Sequence, residues 1–164
     1  MNQSFEFSEV VRRMNNIVRF GTVAAIDHKK SRVKIKIGKI TTAWIPWLTT
    51  AGQVKIWNPP VEGEQVAVIA QGGDLAVSVA IPGIFQNKFA APCDDPNIIK
   101  LEISEKTFLE FDKKNDEFKI KVDELEIEAN SDKMKFSIAS SSIEITPEKI
   151  SINAPVVDIP GLKI

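Results

Sequence analysis

Apolar and polar residues alternate along the second part of the chain. From residue 98 onward the pattern is strict, as where Leu125 and Ile127 are separated by Glu126 and followed by Glu128. Because successive side chains of a strand point to opposite faces, this pattern predicts strands with one apolar face. From Phe118 the first apolar positions recur every seven to nine residues, which is the length of one strand and a tight connection. We therefore expect a stack of strands.

The charged positions of this part indicate the order of the strands. Lys119 and Lys121 are followed by Glu126 and Glu128, and then by Lys135. Opposite charges on neighbouring strands attract by about 0.2–1 kcal/mol per cross-strand pair, and like charges repel. The alternation indicates that strands adjacent in sequence are also adjacent in space. It also identifies the charged face as the outer one, since a one-residue slip would bury every charge.

The first part begins with a predicted helix, assigned to residues 1–18. Its apolar residues form one stripe, which consists of Val10, Val11, Met14, Ile17 and Val18. Ser8 is the expected N-cap, and Glu9 lies in the first turn. A helix this short is marginal alone, so the stripe is expected to dock on its own domain or on a partner.

Residues 19–89 are predicted to form a small barrel. Short apolar runs separated by glycine turns are expected to be its five strands, at residues 22–26, 32–37, 41–48, 64–70 and 75–81. Pro46 interrupts the third, and the fourth is apolar enough for burial on both sides. Five short strands in this arrangement indicate an oligonucleotide/oligosaccharide-binding (OB) fold.

The two parts of the chain differ in their glycine content and in their net charge. Residues 84–160 contain no glycine, although the chain has 8. Residues 1–97 carry 11 basic and 8 acidic residues, whereas residues 98–164 carry 10 and 14, and these give the total net charge of -1. The turn-rich segment 90–97 is the predicted linker, and residues 98–164 form the second domain.

The thin apolar face of this second domain needs a cover. A one-sided sheet without a second apolar layer does not close a core alone. The sheet either folds back on the barrel or meets further copies of the chain, and three apolar faces on one axis are the simpler solution. The expected core residues of such a trimer are Phe118, Ile120, Leu125, Ile127, Met134, Phe136, Ile143 and Ile145.

Composition limits the chemistry. The apolar fraction of 43% is typical of a folded chain, and the net charge of -1 disfavours a strongly basic nucleic-acid binder. Cys93 and His28 are the single cysteine and histidine, which excludes an internal disulfide and a His-pair metal site within one chain. No apolar run is long enough for a transmembrane helix, and the N-terminus lacks the pattern of a secretory signal. The chain is expected to fold in a cytoplasm.

The motifs of residues 17–86 resemble those of a known family. Their order is the specific feature: Arg19-Phe20-Gly21-Thr22-Val23, Arg32-Val33-Lys34-Ile35, Thr42-Ala43-Trp44-Ile45-Pro46-Trp47-Leu48-Thr49, Trp57-Asn58-Pro59-Pro60, Gly63-Glu64-Gln65-Val66, Gly72-Gly73-Asp74 and Pro82-Gly83-Ile84-Phe85. This set resembles baseplate assembly protein V, the central spike of contractile phage tails and related tailocins. The resemblance implies an all-β fold in which an OB barrel is followed by an intertwined trimeric β-helix or β-prism.

The resemblance also implies a function. Three chains would form a needle below the tail tube, the OB domains would attach to the hub protein, and contraction would drive the needle through the host outer membrane. The protein would belong to the virion baseplate or tailocin particle, assemble in the bacterial cytoplasm and have no enzymatic activity. Large aromatic residues favour interfaces, so Trp44, Trp47 and Trp57 are expected contacts of the OB part.

The predicted tip of the needle differs from that of many family members. Many members hold an iron ion with a His-X-His pair from each chain, whereas His28 lies in a predicted barrel turn. We therefore expect no cofactor and no tip iron. The expected tip is either closed by itself or capped by a separate protein, and it comprises Ile159, Pro160, Gly161, Leu162, Lys163 and Ile164.

The sequence gives weaker support to two other classes of function. A single-stranded nucleic-acid-binding OB module would use the basic run from Lys29 to Lys39 and the tryptophans as stacking platforms. The acidic second part opposes this reading, so no nucleic-acid partner is expected. An enzyme would need carboxylates in an enclosed pocket, whereas Asp94 and Asp95 lie in the predicted linker.

Overall fold

The computed structural model describes residues 3–157, with the backbone alone for residues 3–5. The chain forms two compact units, Met1–Ala91 and Pro92–Ile164. The boundary falls within the segment 90–97, and the first strand of the second unit begins at Ile98.

The first unit opens with helix α1, Gln3–Asn16. The helix starts earlier than the sequence predicted, so Ser8 lies inside it and is not its N-cap. Ile17 and Val18 lie beyond its end, because strand β1 pairs Val18 with Ile69. The apolar stripe of the helix is therefore Phe7, Val10, Val11 and Met14.

A five-stranded sheet follows the helix. Its strands are β1 (Val18–Asp27), β2 (Arg32–Ile37), β3 (Ile40–Thr41), β4 (Gln65–Ala70) and β5 (Ser78–Ile84), in the order β3-β2-β1-β4-β5. The core lies on one side of the sheet and is closed by residues between β3 and β4. Its buried members are Val23, Val33, Ile35, Ile37, Ile45, Trp47, Val66, Val68 and Ala80.

Three strands of this unit differ from the prediction. The first was expected at residues 22–26, but β1 begins at Val18 because its start pairs with β4. The third was expected at residues 41–48, but β3 ends at Thr41 and only single bridges join Ile45 to Val33 and Trp47 to Ala80. Pro46 between them has no N–H to donate, so a continuous ladder does not form. The last strand begins at Ser78, because the Asp74 carboxylate accepts a hydrogen bond from the Ala76 N–H and holds residues 74–77 as a turn.

The second unit is a seven-stranded antiparallel meander. Its strands are β6 (Ile98–Ser104), β7 (Thr107–Asp112), β8 (Glu117–Val122), β9 (Leu125–Ala129), β10 (Met134–Ile138), β11 (Ser141–Ile145) and β12 (Ile150–Asn153). They pair in sequence order from β6 to β12, as the alternation of charge indicated. A single chain therefore supplies one continuous sheet, and the intertwined winding of three chains stays a prediction.

The turns of the meander contain no glycine. Asp116, Asp123 and Ala139 take the left-handed conformation instead, with φ angles of 51°, 54° and 48°. Aspartate tolerates this region because its short side chain bonds locally, whereas alanine pays a cost of about 1–2 kcal/mol. Three of the turns are also closed by local polar contacts: Asp112 accepts hydrogen bonds from the Lys114 and Asn115 N–H groups, Asn130 accepts from the Lys133 N–H, and Thr146 accepts from the Lys149 N–H.

Candidate functional site

One face of the meander is entirely apolar along two rows of seven residues. Directly paired residues of antiparallel strands share a face, so the register defines each row. The first row is Leu101, Leu109, Ile120, Ile127, Phe136, Ile143 and Ile152. The second row is Ile99, Phe111, Phe118, Ala129, Met134, Ile145 and Ile150. We call these fourteen residues the apolar face.

The apolar face is open in the single chain. Leu101 is 65% exposed, and Phe136, Ile143 and Ile152 are exposed as well. A groove of about 310 Å³ runs over its last four strands, β9 to β12, and is lined among others by Ile127 and Phe136. A contiguous apolar surface of this extent marks an interaction site in a soluble protein.

The opposite face carries a row of charges whose sign alternates on six consecutive strands. The register aligns Lys100, Glu110, Lys119, Glu128, Lys135 and Glu144. Each inner member of this charged row lies between two opposite charges, on the strand before and the strand after. This arrangement places opposite charges side by side on the polar face of one chain, whereas within residues 3–157 the apolar face stays open.

Lys119 lies at the centre of the charged row. Its Nζ is 3.2 Å from Oε1 of Glu128 and also contacts the carboxylate of Glu126. The hydrogen bond to Glu126 is the main reason that the pKa of Lys119 is raised, and the same bond lowers the pKa of Glu126. The Lys119 side chain is only 26% exposed, so this contact is less screened by water than an ordinary surface pair.

Lys100 begins the row at the first strand of the meander. Its Nζ lies 3.0 Å from Glu102 and 3.6 Å from Glu110. The same nitrogen sits 4.2 Å above the ring of Phe108, which lies on the polar face. The neighbouring carboxylates, Glu102 foremost, raise the pKa of Lys100 and hold it as a cation.

The eight residues predicted to form the trimer core all belong to the apolar face or adjoin it. Seven are members of its rows, and Leu125 pairs with Val122 and Ile138 just beyond them. Their burial by other copies stays a prediction. The predicted tip, residues 159–164, lies outside the described residues.

The three tryptophans of the first unit have different surroundings. Trp47 is 8% exposed and belongs to the core of its own barrel. The prediction that it is an interface residue is therefore wrong, because its ring packs inside the barrel. Trp57 is exposed and its ring centroid lies 5.8 Å from that of Trp47. Trp44 is exposed beneath Nζ of Lys34, at 5.0 Å from its ring centroid. An interface role for Trp44 and Trp57 stays a prediction.

A second apolar surface, which the sequence pattern did not predict, lies on the outer side of the five-stranded sheet. Two rows of three residues cross strands β1, β4 and β5. They are Val18, Ile69 and Val79, and Phe20, Ala67 and Ile81. We call these six residues the outer grid. The apolar run of β4 was its only sequence signal, since the partners lie far apart in the chain.

Within residues 3–157 no group of three or more His, Cys, Asp and Glu side chains is placed to hold a metal ion. Cys93 is a free, exposed thiol. In the same described range, no helix combines the length and apolarity needed to cross a membrane.

The five-stranded sheet, its buried core and the ordered motifs define a baseplate-type OB domain. Residues 19–85 match the family described as the type VI secretion system/phage-baseplate injector OB domain. Residues 19–85 thus form an OB domain of this family, and the resemblance to the baseplate V and spike family drawn from the motifs is confirmed.

A curated relative extends the match beyond this domain. The chain is similar to the Spike protein of Escherichia phage P2, with 28% identity over 113 residues. The matched region is 68% of this chain and 54% of the relative, so the chain spans about half the relative's length.

Proposed function

We propose that this chain forms the homotrimeric central spike of a contractile tail baseplate. In this role three meanders meet by their apolar faces on a common axis and form a stiff needle. The OB domains attach the needle to the hub protein of the tail, and contraction drives it through the outer membrane of the host bacterium. The work is mechanical and requires no catalytic group.

The open apolar face is the observation that carries this proposal. Its two rows run across the strands, along the direction in which the strands stack. Seven strands spaced about 4.8 Å apart give a strip about 29 Å long. Three such strips facing one another would exclude water along that whole length, and dense apolar packing supplies stiffness.

The charged row supports the same arrangement. Because each lysine of the row lies opposite carboxylates of its own sheet, the polar face has little need of a protein cover. The apolar face lacks one. A symmetric assembly that buries the apolar face and leaves the charged row in water satisfies both surfaces, and it keeps the needle soluble before contraction.

The proposal includes a tip without iron. His28 is the single histidine, so no pair of histidines from each chain exists to hold the ion. Either residues near the C-terminus close the tip or a separate small protein caps it. Elemental analysis of the pure protein is expected to find no iron, and one iron per three chains would contradict this part.

Light scattering on a sizing column tests the assembly. Three chains of 18.2 kDa give a particle of about 54.6 kDa, which should elute early because a needle is elongated. A monomer that stays monomeric at high concentration would mean that the apolar face is covered within one chain. The spike proposal would then be abandoned, and binding to single-stranded DNA at low salt would be the next assay.

A further inference from the structure

Helix α1 is held rigidly at its C-terminal end. A Cβ placed on Gly73 would lie only 2.3 Å from the backbone oxygen of Arg13, so the helix approaches this turn as closely as a glycine allows. The Ala70 N–H donates to the Ile17 oxygen at 2.8 Å, and Arg19 donates to Asn16 at 2.9 Å. The helix is therefore a fixed arm of the first unit.

The arm carries an apolar stripe that its own unit leaves uncovered. Phe7 is 72% exposed, and Val10, Val11 and Met14 are exposed as well. Glu9 binds Arg12 and Arg13 at 2.8 Å each, so these charges satisfy one another. Among the described side chains of the helix, the stripe is thus an apolar surface that its own unit leaves in water.

The outer grid is open in the same unit. Phe20 is 63% exposed, and Val18 and Ile69 are exposed beside it. The stripe and the exposed half of the grid, formed by Val18, Phe20 and Ile69, are both uncovered although they belong to one unit. The helix ends at Asn16 and β1 begins at Val18, so the single residue Ile17 leaves no length of chain for the helix to fold back over β1.

We propose that the stripe of α1 packs across the outer grid of a neighbouring copy of this chain. The inference rests on the proposed trimer. On a threefold axis each copy would give its helix to one neighbour and receive the helix of the other. Such a head-to-tail contact closes into a ring, and it uses both surfaces in all three copies.

The sizes of the two surfaces match. From Phe7 to Met14 the helix rises by about 10 Å. Three strands at a spacing of about 4.8 Å give a grid about 10 Å wide. One helix laid across the strands therefore covers one row of the grid from edge to edge.

The tether favours a second copy as the occupant. In the proposed needle the three second units share an axis, and the segment 90–97 that connects each to its first unit spans at most about 28 Å. Neighbouring first units are thereby held at an effective concentration of the order of millimolar. A moderate apolar contact between them would form readily under that condition.

Cross-linking of mixed trimers tests the contact. In a Cys93→Ser background, chains with Val10→Cys and chains with Ile69→Cys are produced together with different tags. Trimers containing both are isolated by the two tags in turn and treated with a short bis-maleimide. Each chain has one cysteine, so every cross-link joins two copies. A control pair uses Val10→Cys with Lys30→Cys, which lies in an exposed turn between β1 and β2.

The expected result is a Val10–Ile69 cross-link at a yield about ten-fold above the control pair, since proximity raises the effective concentration of the thiols. Predominant Val10–Val10 products would overturn the proposal, because the helices would then pack on one another. An intact trimer with no product above the control would overturn it too, and would assign the stripe to another protein. A natural chain that is itself monomeric would instead contradict the proposed function.

Discussion

Lys119 on β8 and Glu128 on β9 lie directly opposite each other, with Nζ of the lysine 3.2 Å from Oε1 of the glutamate. Glu110 flanks the lysine on the other side, from β7. The carboxylates that contact the lysine, those of Glu126 and Glu128, both belong to β9. Lys119 therefore joins β8 to β9 through two ion pairs at the middle of the sheet.

Reversal of this central charge should destabilise the meander. Lys119→Glu removes the pairs with Glu128 and Glu126 and places a third carboxylate beside them. At about 0.2–1 kcal/mol per cross-strand pair, the lost attraction and the added repulsion amount to about 1–2 kcal/mol. The measurement is the midpoint of thermal unfolding, followed by circular dichroism.

Lys106→Glu is the matched control for this change. It breaks the pair of Lys106 with Asp123, whose atoms are 3.3 Å apart but whose side chains are 77% and 68% exposed. Water screens such a pair, so the midpoint should hardly move. Equal shifts for the two variants would show that the charged row has no special role.

The lowered pKa of Glu126 predicts acid sensitivity. The hydrogen bond from Lys119 is the main cause, and Lys121 and Lys135 add to it. Because the folded-state pKa lies below the ordinary value of 4.5, the carboxylate contributes stability above that pH, and the contribution is lost as pH falls through the folded pKa. Urea unfolding at neutral pH and at about pH 3.5 measures the loss.

Glu126→Gln separates this carboxylate from the others. The variant should be less stable than the parent at neutral pH and should lose less stability on acidification, since the amide does not titrate. If the variant and the parent change in parallel with pH, the acid response arises elsewhere in the chain.

A charge on the apolar face should prevent assembly. Ile127 lies in the middle of the first row, so in the proposed trimer Ile127→Lys would place three ammonium groups at one level of the needle axis. Each unpaired buried charge costs several kcal/mol, which exceeds what the contact can supply. Light scattering should therefore find monomers.

The control for this change lies on the opposite side of the same sheet. Ser137 pairs with Glu126 on the polar face, so Ser137→Lys adds the same side chain in water beside a carboxylate. This variant should remain trimeric. A normal trimer from Ile127→Lys would mean that the apolar face is not the trimer core.

The close approach at Gly73 predicts that a methyl group there would displace the helix. Gly73 has a φ of +75°, and the added Cβ would clash with backbone atoms of Arg13. Unlike a flexible side chain, the backbone cannot move aside without moving the helix. Gly73→Ala should lower the unfolding midpoint and expose the Arg12 and Arg13 peptide bonds to trypsin.

Gly72→Ala isolates the contribution of the clash. Gly72 has a similar φ of +58°, but nothing lies within 4 Å of the added Cβ. Its cost is limited to the left-handed backbone, about 1–2 kcal/mol. Similar trypsin cleavage of both variants would show that backbone strain and not the contact with Arg13 controls the helix.

Local patterns predicted the meander well and the barrel less well. In the meander each strand pairs with the next. The alternation around Leu125 and Ile127 therefore indicated which side chains share a face of the sheet and in which order the strands lie. In the barrel, Pro46 was correctly seen as an interruption, but the length of β3 depended on contacts with Val33 and Ala80. The burial of Trp47 likewise depended on residues from distant strands.

The sequence by itself determined which side chains of the second unit share a face, because the period of a strand is two and tight turns bring sequential strands together. It also placed Lys119 among carboxylates for the same reason. Only the tertiary structure decided that Val18, Ile69 and Val79 form one surface, and that the stripe of α1 remains open. Those outcomes depend on pairing between strands far apart in the chain and on the contact at Gly73, and no local period encodes either.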